Sequence, residues 1–103
     1  MNDIKYSPMS QKDLDEIWEY IAKNLTNPIA ATNTIYGIID TIDVLQKQSE
    51  IGTPLYFGSG LFSGYRYVVY KNYLAFYRTV NNTIYVDRVI YGKRDYMKIL
   101  FND

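Results

Sequence analysis

The side chains best able to do chemistry in this chain are tyrosines and arginines, because it has 0 His and 0 Cys. An imidazole base, an imidazole metal ligand and a thiolate nucleophile or zinc ligand are therefore excluded. What remains gathers in the second half of the chain. Arg78, Lys93 and Arg94 are suited to clamping a phosphate, and Tyr91 and Tyr96 to shuttling a proton. No motif for a metal or organic cofactor is present, so none is expected.

The 103 residues carry a formal net charge of +0, and that balance hides an asymmetry. Residues 1–60 hold four lysines against eight acids, a net of −4, whereas residues 61–103 hold seven cations against three acids, a net of +4. All four arginines (Arg66, Arg78, Arg88 and Arg94) lie in the basic half. That half should meet an anionic partner, either nucleic acid or an acidic peptide, unless its cations merely solvate strand edges.

These groups need a scaffold, and the length and the 48% apolar content suit one domain, residues 1–103, around a single core. No run approaches the roughly 20 apolar residues that cross a bilayer. Nor does MNDIKYSPMS combine a basic region with an apolar one. With no cysteine besides, a soluble cytoplasmic protein is expected.

Alternation at Ile4 and Tyr6 predicts a first strand. Ser10 with Asp13 as a capping box, or Ser7 with Pro8, then opens a helix whose apolar face is Leu14, Ile17, Trp18, Ile21 and Leu25, with Trp18 in the core. Asn27 and Pro28 start a second helix reaching about Gln48, antiparallel to the first. Glycines and Pro54 make residues 49–64 a loop with room for a brief extended piece. From residue 65 the sequence is β-branched and aromatic, and two-residue turns at Lys71-Asn72 and Asn81-Asn82 predict a three-stranded antiparallel meander, followed by a short terminal helix or tail. The expected class is α+β, with the helical hairpin packed on the meander.

Such turns fix register, placing Tyr70 opposite Tyr73, Val80 opposite Thr83 and Phe76 opposite Asp87. One face then carries Val68, Ala75, Ile84, Val86, Arg88 and Ile90 and suits packing under the helices. The other carries Tyr67, Leu74, Phe76, Arg78, Tyr85, Asp87, Val89 and Tyr91, which is too apolar for a solvated face. Two helices cover only one side, so Tyr67, Leu74, Phe76, Arg78, Tyr85 and Tyr91 are expected to dock a partner, unless the loop of residues 49–64 folds over them. Arg78 should meet an acidic group of that partner or pair with Asp87. Arg88, and similarly Arg66, should pair with a helix acid such as Glu16 or Glu19.

The order strand, two helices, meander and basic terminal motif resembles the RelE/ParE superfamily of toxins. The likeness runs through residues 73–100, where Phe76-Tyr77-Arg78, Arg88-Val89 and Gly92-Lys93-Arg94-Asp95 match the family's aromatic-Tyr-Arg, apolar-strand and Gly-basic-Arg-Asp pattern. The resemblance implies the toxin of a type II toxin-antitoxin module, inhibiting growth and neutralised by a cognate antitoxin protein. RelE-like members are messenger RNA endoribonucleases acting on the ribosome, whereas ParE-like members poison DNA gyrase and need no catalytic residues. Where RelE-like ribonucleases place an arginine, two lysines and a terminal proton-transfer group, this chain has Leu74, Tyr65, Tyr67 and Leu100. The ParE-like pattern is met more fully. The competing expectations are an RNA endoribonuclease, an inactive module that only sequesters antitoxin, and an RNA-binding domain whose tyrosines stack bases.

Overall fold

The computed structural model describes residues 1–92 and 94–101. Its elements are β1 (Asp3–Tyr6), α1 (Pro8–Glu19), α2 (Pro28–Asp43), β2 (Thr53–Tyr56), β3 (Phe62–Tyr70), β4 (Tyr73–Val80), β5 (Thr83–Tyr91) and α3 (Tyr96–Phe101). Ser7 rather than Ser10 caps α1: its Oγ accepts from the Ser10 amide at 3.0 Å, and Pro8 occupies the first turn. A single π-helical turn, Tyr20–Asn24, ends α1. Asn27 caps α2 as expected, accepting from the Ala30 amide at 3.0 Å.

The five strands form one sheet in the order β1-β5-β4-β3-β2. The expected meander is its centre, extended by β1 lying parallel to β5 and by β2 antiparallel to β3. The loop of residues 49–64 thus contributes a strand of its own and the start of β3. Both hairpin turns keep the derived register, Tyr70 with Tyr73 and Val80 with Thr83. Asn81 and Asn82 reach it with φ of 50° and 64°, the mirror-image turn that follows strand twist.

Register then slips by one residue. Phe76 stands opposite Arg88 instead of Asp87, because a bulge inserts Asp87 into β5. Val89, Ile90 and Tyr91 beyond it change side, while the Arg88 side chain still reaches α1. Val89 joins Ile38, Ile42, Leu45, Ala75, Tyr77, Ile84 and Val86 beneath the helices, and Ile90 moves to the opposite face with Phe76 and Leu55. The expected facing of Val89, Ile90 and Tyr91 is corrected accordingly.

The expected open face is also corrected. Phe76 is 0% exposed, and Leu74 and Tyr67 are half-buried, because the chain covers them itself. The cover is α3 with Leu55: the Tyr96 ring lies 5.3 Å from that of Phe76, and Phe101 packs on Tyr65 and Phe57 at 5.8 and 4.9 Å. Trp18 lies outside the core at 37% exposure, its indole N–H donating to Thr32 Oγ1 at 3.3 Å.

Helix and sheet are locked by Asp13, only 7% exposed. Its Oδ2 accepts from Arg88 Nε at 2.8 Å and the Val89 amide at 2.9 Å, and its Oδ1 from an Arg88 Nη at 2.9 Å. Arg88 therefore pairs with a helix acid, but with Asp13 and not Glu16 or Glu19. Replacing Asp13 with Ala strands a mostly buried guanidinium and an amide together, and urea unfolding should show a loss of about 3–5 kcal/mol. Exchanging both partners for apolar residues should cost less.

Tyr6 supplies a pH signature. Its hydroxyl is buried without a hydrogen-bond partner among the described residues, and burial first, then Asp43, pushes its pKa up to about 12. An unfolded tyrosine ionises near 10. Between those values the folded state keeps a proton that the unfolded state has lost, so stability is whole below about pH 10 and falls as pH rises toward 12. Tyr6→Phe should make that decline shallower in chemical unfolding across the window, without weakening the fold at neutral pH.

Candidate functional site

The arginine and tyrosine candidates fall in three places. At the outer end of β4 and β5, on the α3 side, Arg78 Nε donates to Asp87 Oδ2 at 2.7 Å, and Tyr65 donates its hydroxyl to the same oxygen at 2.8 Å. The bulge turns Asp87 toward them. The guanidinium also lies over the Tyr85 ring, 5.2 Å from its centroid. Its hydrogen bond to Asp87 holds the Arg78 pKa above its ordinary value, and burial, then Asp87, raises that of Tyr65. Arg78 thus forms the Asp87 pair weighed from the sequence, while its side chain stays 46% exposed.

Tyr91 and Arg94 occupy the other end of β5 and the opposite side of the sheet. The Tyr91 ring meets Tyr73 edge-on at 5.6 Å, and the two residues line a cleft against α1 and the π turn. Tyr96 belongs to neither place, being packed on Phe76 within α3. Lys93 lies outside the described residues. Along β4 the partners of Tyr91 and Tyr85, Tyr73 and Arg78, are five residues apart. At the usual rise per residue that separates the two ends by about 17 Å. One phosphate cannot bridge them.

A third feature is a groove of about 860 Å³ between α2 and the β3 edge, lined by Tyr36, Asp40, Val44, Ile51, Tyr67 and Val69 among others. Gly37 lets α2 approach there, since a Cβ at that position would collide with the Tyr70 ring. Pairing of β2 with β3 starts at Thr53 opposite Tyr67, so residues 68–70 have no strand on their outer side. The hairpin with β4 directs the N–H and C=O of Tyr70 inward, hence those of Val69 outward.

The segment that would have paired there is held elsewhere. Tyr77, 1% exposed, donates its hydroxyl to the Ser49 carbonyl at 2.8 Å and accepts from the Gly52 amide at 3.0 Å. Arg66 binds the Glu50 and Gly52 carbonyls at 3.3 and 3.0 Å, not a helix acid as expected. Tyrosine at 77 had been legible only as part of a motif; its clamping role needed the loop's position. Among the described residues no cluster of acids could hold a metal, and no helix is long and apolar enough to cross a membrane.

A helical hairpin packed on such a sheet is also the fold of solved structures. One is a chain described as the chromosomal ParDE toxin-antitoxin system from P. aeruginosa, with TM-score 0.75 at 20% identity over 90% of this chain and 98% of that one. Another is YafQ from E. coli strain BL21(DE3), with TM-score 0.50 at 17% identity over 86% and 91%. At such identities the likeness is one of fold. A comparison with curated protein sequences finds no match. The family model described as the ParE toxin of the type II toxin-antitoxin system parDE matches residues 4–96, and the chain belongs to that family within the RelE/ParE superfamily.

The tyrosine clamp is testable. Tyr77→Phe leaves the Gly52 amide and Ser49 carbonyl without their partner, and should cost about 1–3 kcal/mol in urea unfolding. Hydrogen exchange at the Gly52 amide should accelerate more than in the strands, marking release of the loop.

Proposed function

We propose that the chain acts in the cytoplasm as a growth-inhibiting toxin that poisons DNA gyrase and is silenced by a cognate antitoxin protein. The observation that carries this reading over RNA cleavage is the scattering of the candidate catalytic groups. Arg78 is committed to Asp87 at one end of the sheet, Tyr91 and Arg94 lie at the other end on the opposite side, and Tyr96 is spent on packing. Cleavage by a 2′ hydroxyl requires a proton acceptor and charge-stabilising cations around a single phosphate. A gyrase poison needs only a binding surface, in keeping with membership of the ParE toxin family.

Two surfaces support antitoxin docking. Arg78 and Tyr85, at the free end of β4 and β5, offer a cation and an aromatic ring to an acidic side chain. Tyr67 lines the α2–β3 groove, where the outward amide and carbonyl of Val69 are suited to an extended segment added to the sheet. Leu74 and Phe76 are assigned to the seat of α3 and Tyr91 to the cleft, so neither end of the expected patch is kept whole.

Expression of the chain should arrest growth, and co-expression of the neighbouring antitoxin gene should relieve it. Purified protein should trap gyrase on plasmid DNA as double-strand breaks and leave ribosome-bound transcripts intact. Codon-phased transcript cleavage without DNA breaks would reverse the reading in favour of an endoribonuclease. Binding of RNA with neither effect, unrelieved by antitoxin, would make it an RNA-binding module.

A further inference from the structure

The cleft at the inner end of β5 has more recognition chemistry than its structural role uses. It encloses about 640 Å³ between α1, the π turn, the β3–β4 turn and the residues after β5. That lies within the range of roughly 300–1,000 Å³ typical of small-molecule sites. Ile17, Ile21, Leu25 and Val89 form its apolar wall, and Tyr20, Tyr73 and Tyr91 enter from three elements. The Tyr73 and Tyr91 rings meet at 5.6 Å, and burial first, then Tyr91 and Tyr20, raises the Tyr73 pKa. The hydroxyls of Tyr65 and Tyr77 are engaged in hydrogen bonds, whereas none is formed by those of Tyr20, Tyr73 or Tyr91 among the described residues.

The charges around the cleft are unequal. Both acids that line it have partners: Asp13 is held by Arg88, and Glu16 stands 4.0 Å from Lys12. Asp95, next to Arg94, accepts from the Lys98 amide at 3.3 Å. Lys71 and Arg94 are exposed at the mouth and make no ion pair among the described residues. Lys71 only rests over the Tyr70 ring, at 5.5 Å. Two cations at the rim and free phenols over an apolar wall are complementary to a ligand with an anionic head and a flat aromatic body.

We propose that this cleft binds a nucleotide, with the phosphate between Arg94 and Lys71 and the base against Tyr91 and Tyr20. The shared chemistry is that of a nucleoside monophosphate, free or as one unit of a single strand. The site is separate from the Arg78 end and from the α2–β3 groove, and it stands whether or not gyrase is the target.

The test is titration of the full chain with AMP, adenosine, inorganic phosphate and a short oligoadenylate, following tyrosine ring signals by NMR. AMP should saturate the site and shift Tyr73 and Tyr91, and its affinity should fall with added salt. Arg94→Gln and Tyr91→Ala should each weaken AMP on the order of tenfold, with Arg94→Lys recovering part of the loss and Lys47→Gln, elsewhere on the surface, having no effect. Arg94 is exposed, so unchanged thermal unfolding should accompany its substitution. Tighter binding of the oligoadenylate than of AMP identifies a strand as the source, and equal binding identifies the free nucleotide. Adenosine binding as well as AMP, phosphate alone matching AMP, or AMP affinity indifferent to Arg94→Gln would each overturn the proposal.

Discussion

Asp13 accepts three hydrogen bonds, two from Arg88 and one from the Val89 amide, and the arrangement of both sheet faces depends on that contact. The bulge at Asp87 removes one residue of β5 from ladder pairing with β4. The Val89 amide points away from β4, past the end of β1, and being buried it needs an acceptor, while a carboxylate buried under a helix needs cations and donors. Each requirement meets the other here. Because the bulge is held by α1, Val89 is fixed beneath the helices, Ile90 beneath α3, and Tyr91 at the cleft.

The bulge also explains which parts of the fold could be read from sequence. Hairpin turns of two residues set register locally, and the pairs adjoining both turns were correct for that reason. The cap at Asn27 is legible from side-chain type and the proline that follows, and the one at Ser7 is one of two starts that the sequence leaves open. Asp13 reads as the partner in a capping box, since nothing within its helix shows that a strand 75 residues away will meet it. The inserted residue could not be seen either, because β5 reads as an unbroken strand and only a long-range partner selects the bulge.

The second apolar face was legible, but its cover was misassigned. A sheet greasy on both sides does require two layers of cover, and the chain contains the second one in Tyr96, Met97, Ile99, Leu100 and Phe101. That segment is a six-residue helix, too short to be stable alone. It forms because Phe76, Leu74 and Ile90 give it somewhere to pack. Exposed apolar surface is displaced to the rims instead, at Val69 and Ile51 along the groove and at Tyr20 and Leu25 along the cleft.

This geometry separates cations that share the basic half of the sequence. Arg78 and Arg88 flank the same bulge, yet one is turned toward the α3 side and neutralised by Asp87, and the other toward α1 and neutralised by Asp13. Both are paired with carboxylates of their own chain, which offset part of the charge that an incoming phosphate would meet. Arg94 and Lys71 carry no such contact among the described residues. The exposed charge of the basic half therefore does not follow the count of its arginines. Two of its cations without a carboxylate partner among the described residues, Lys71 and Arg94, stand where β3 passes into β4 and just after β5 ends, at the end of the sheet that the Tyr-Arg motif does not occupy.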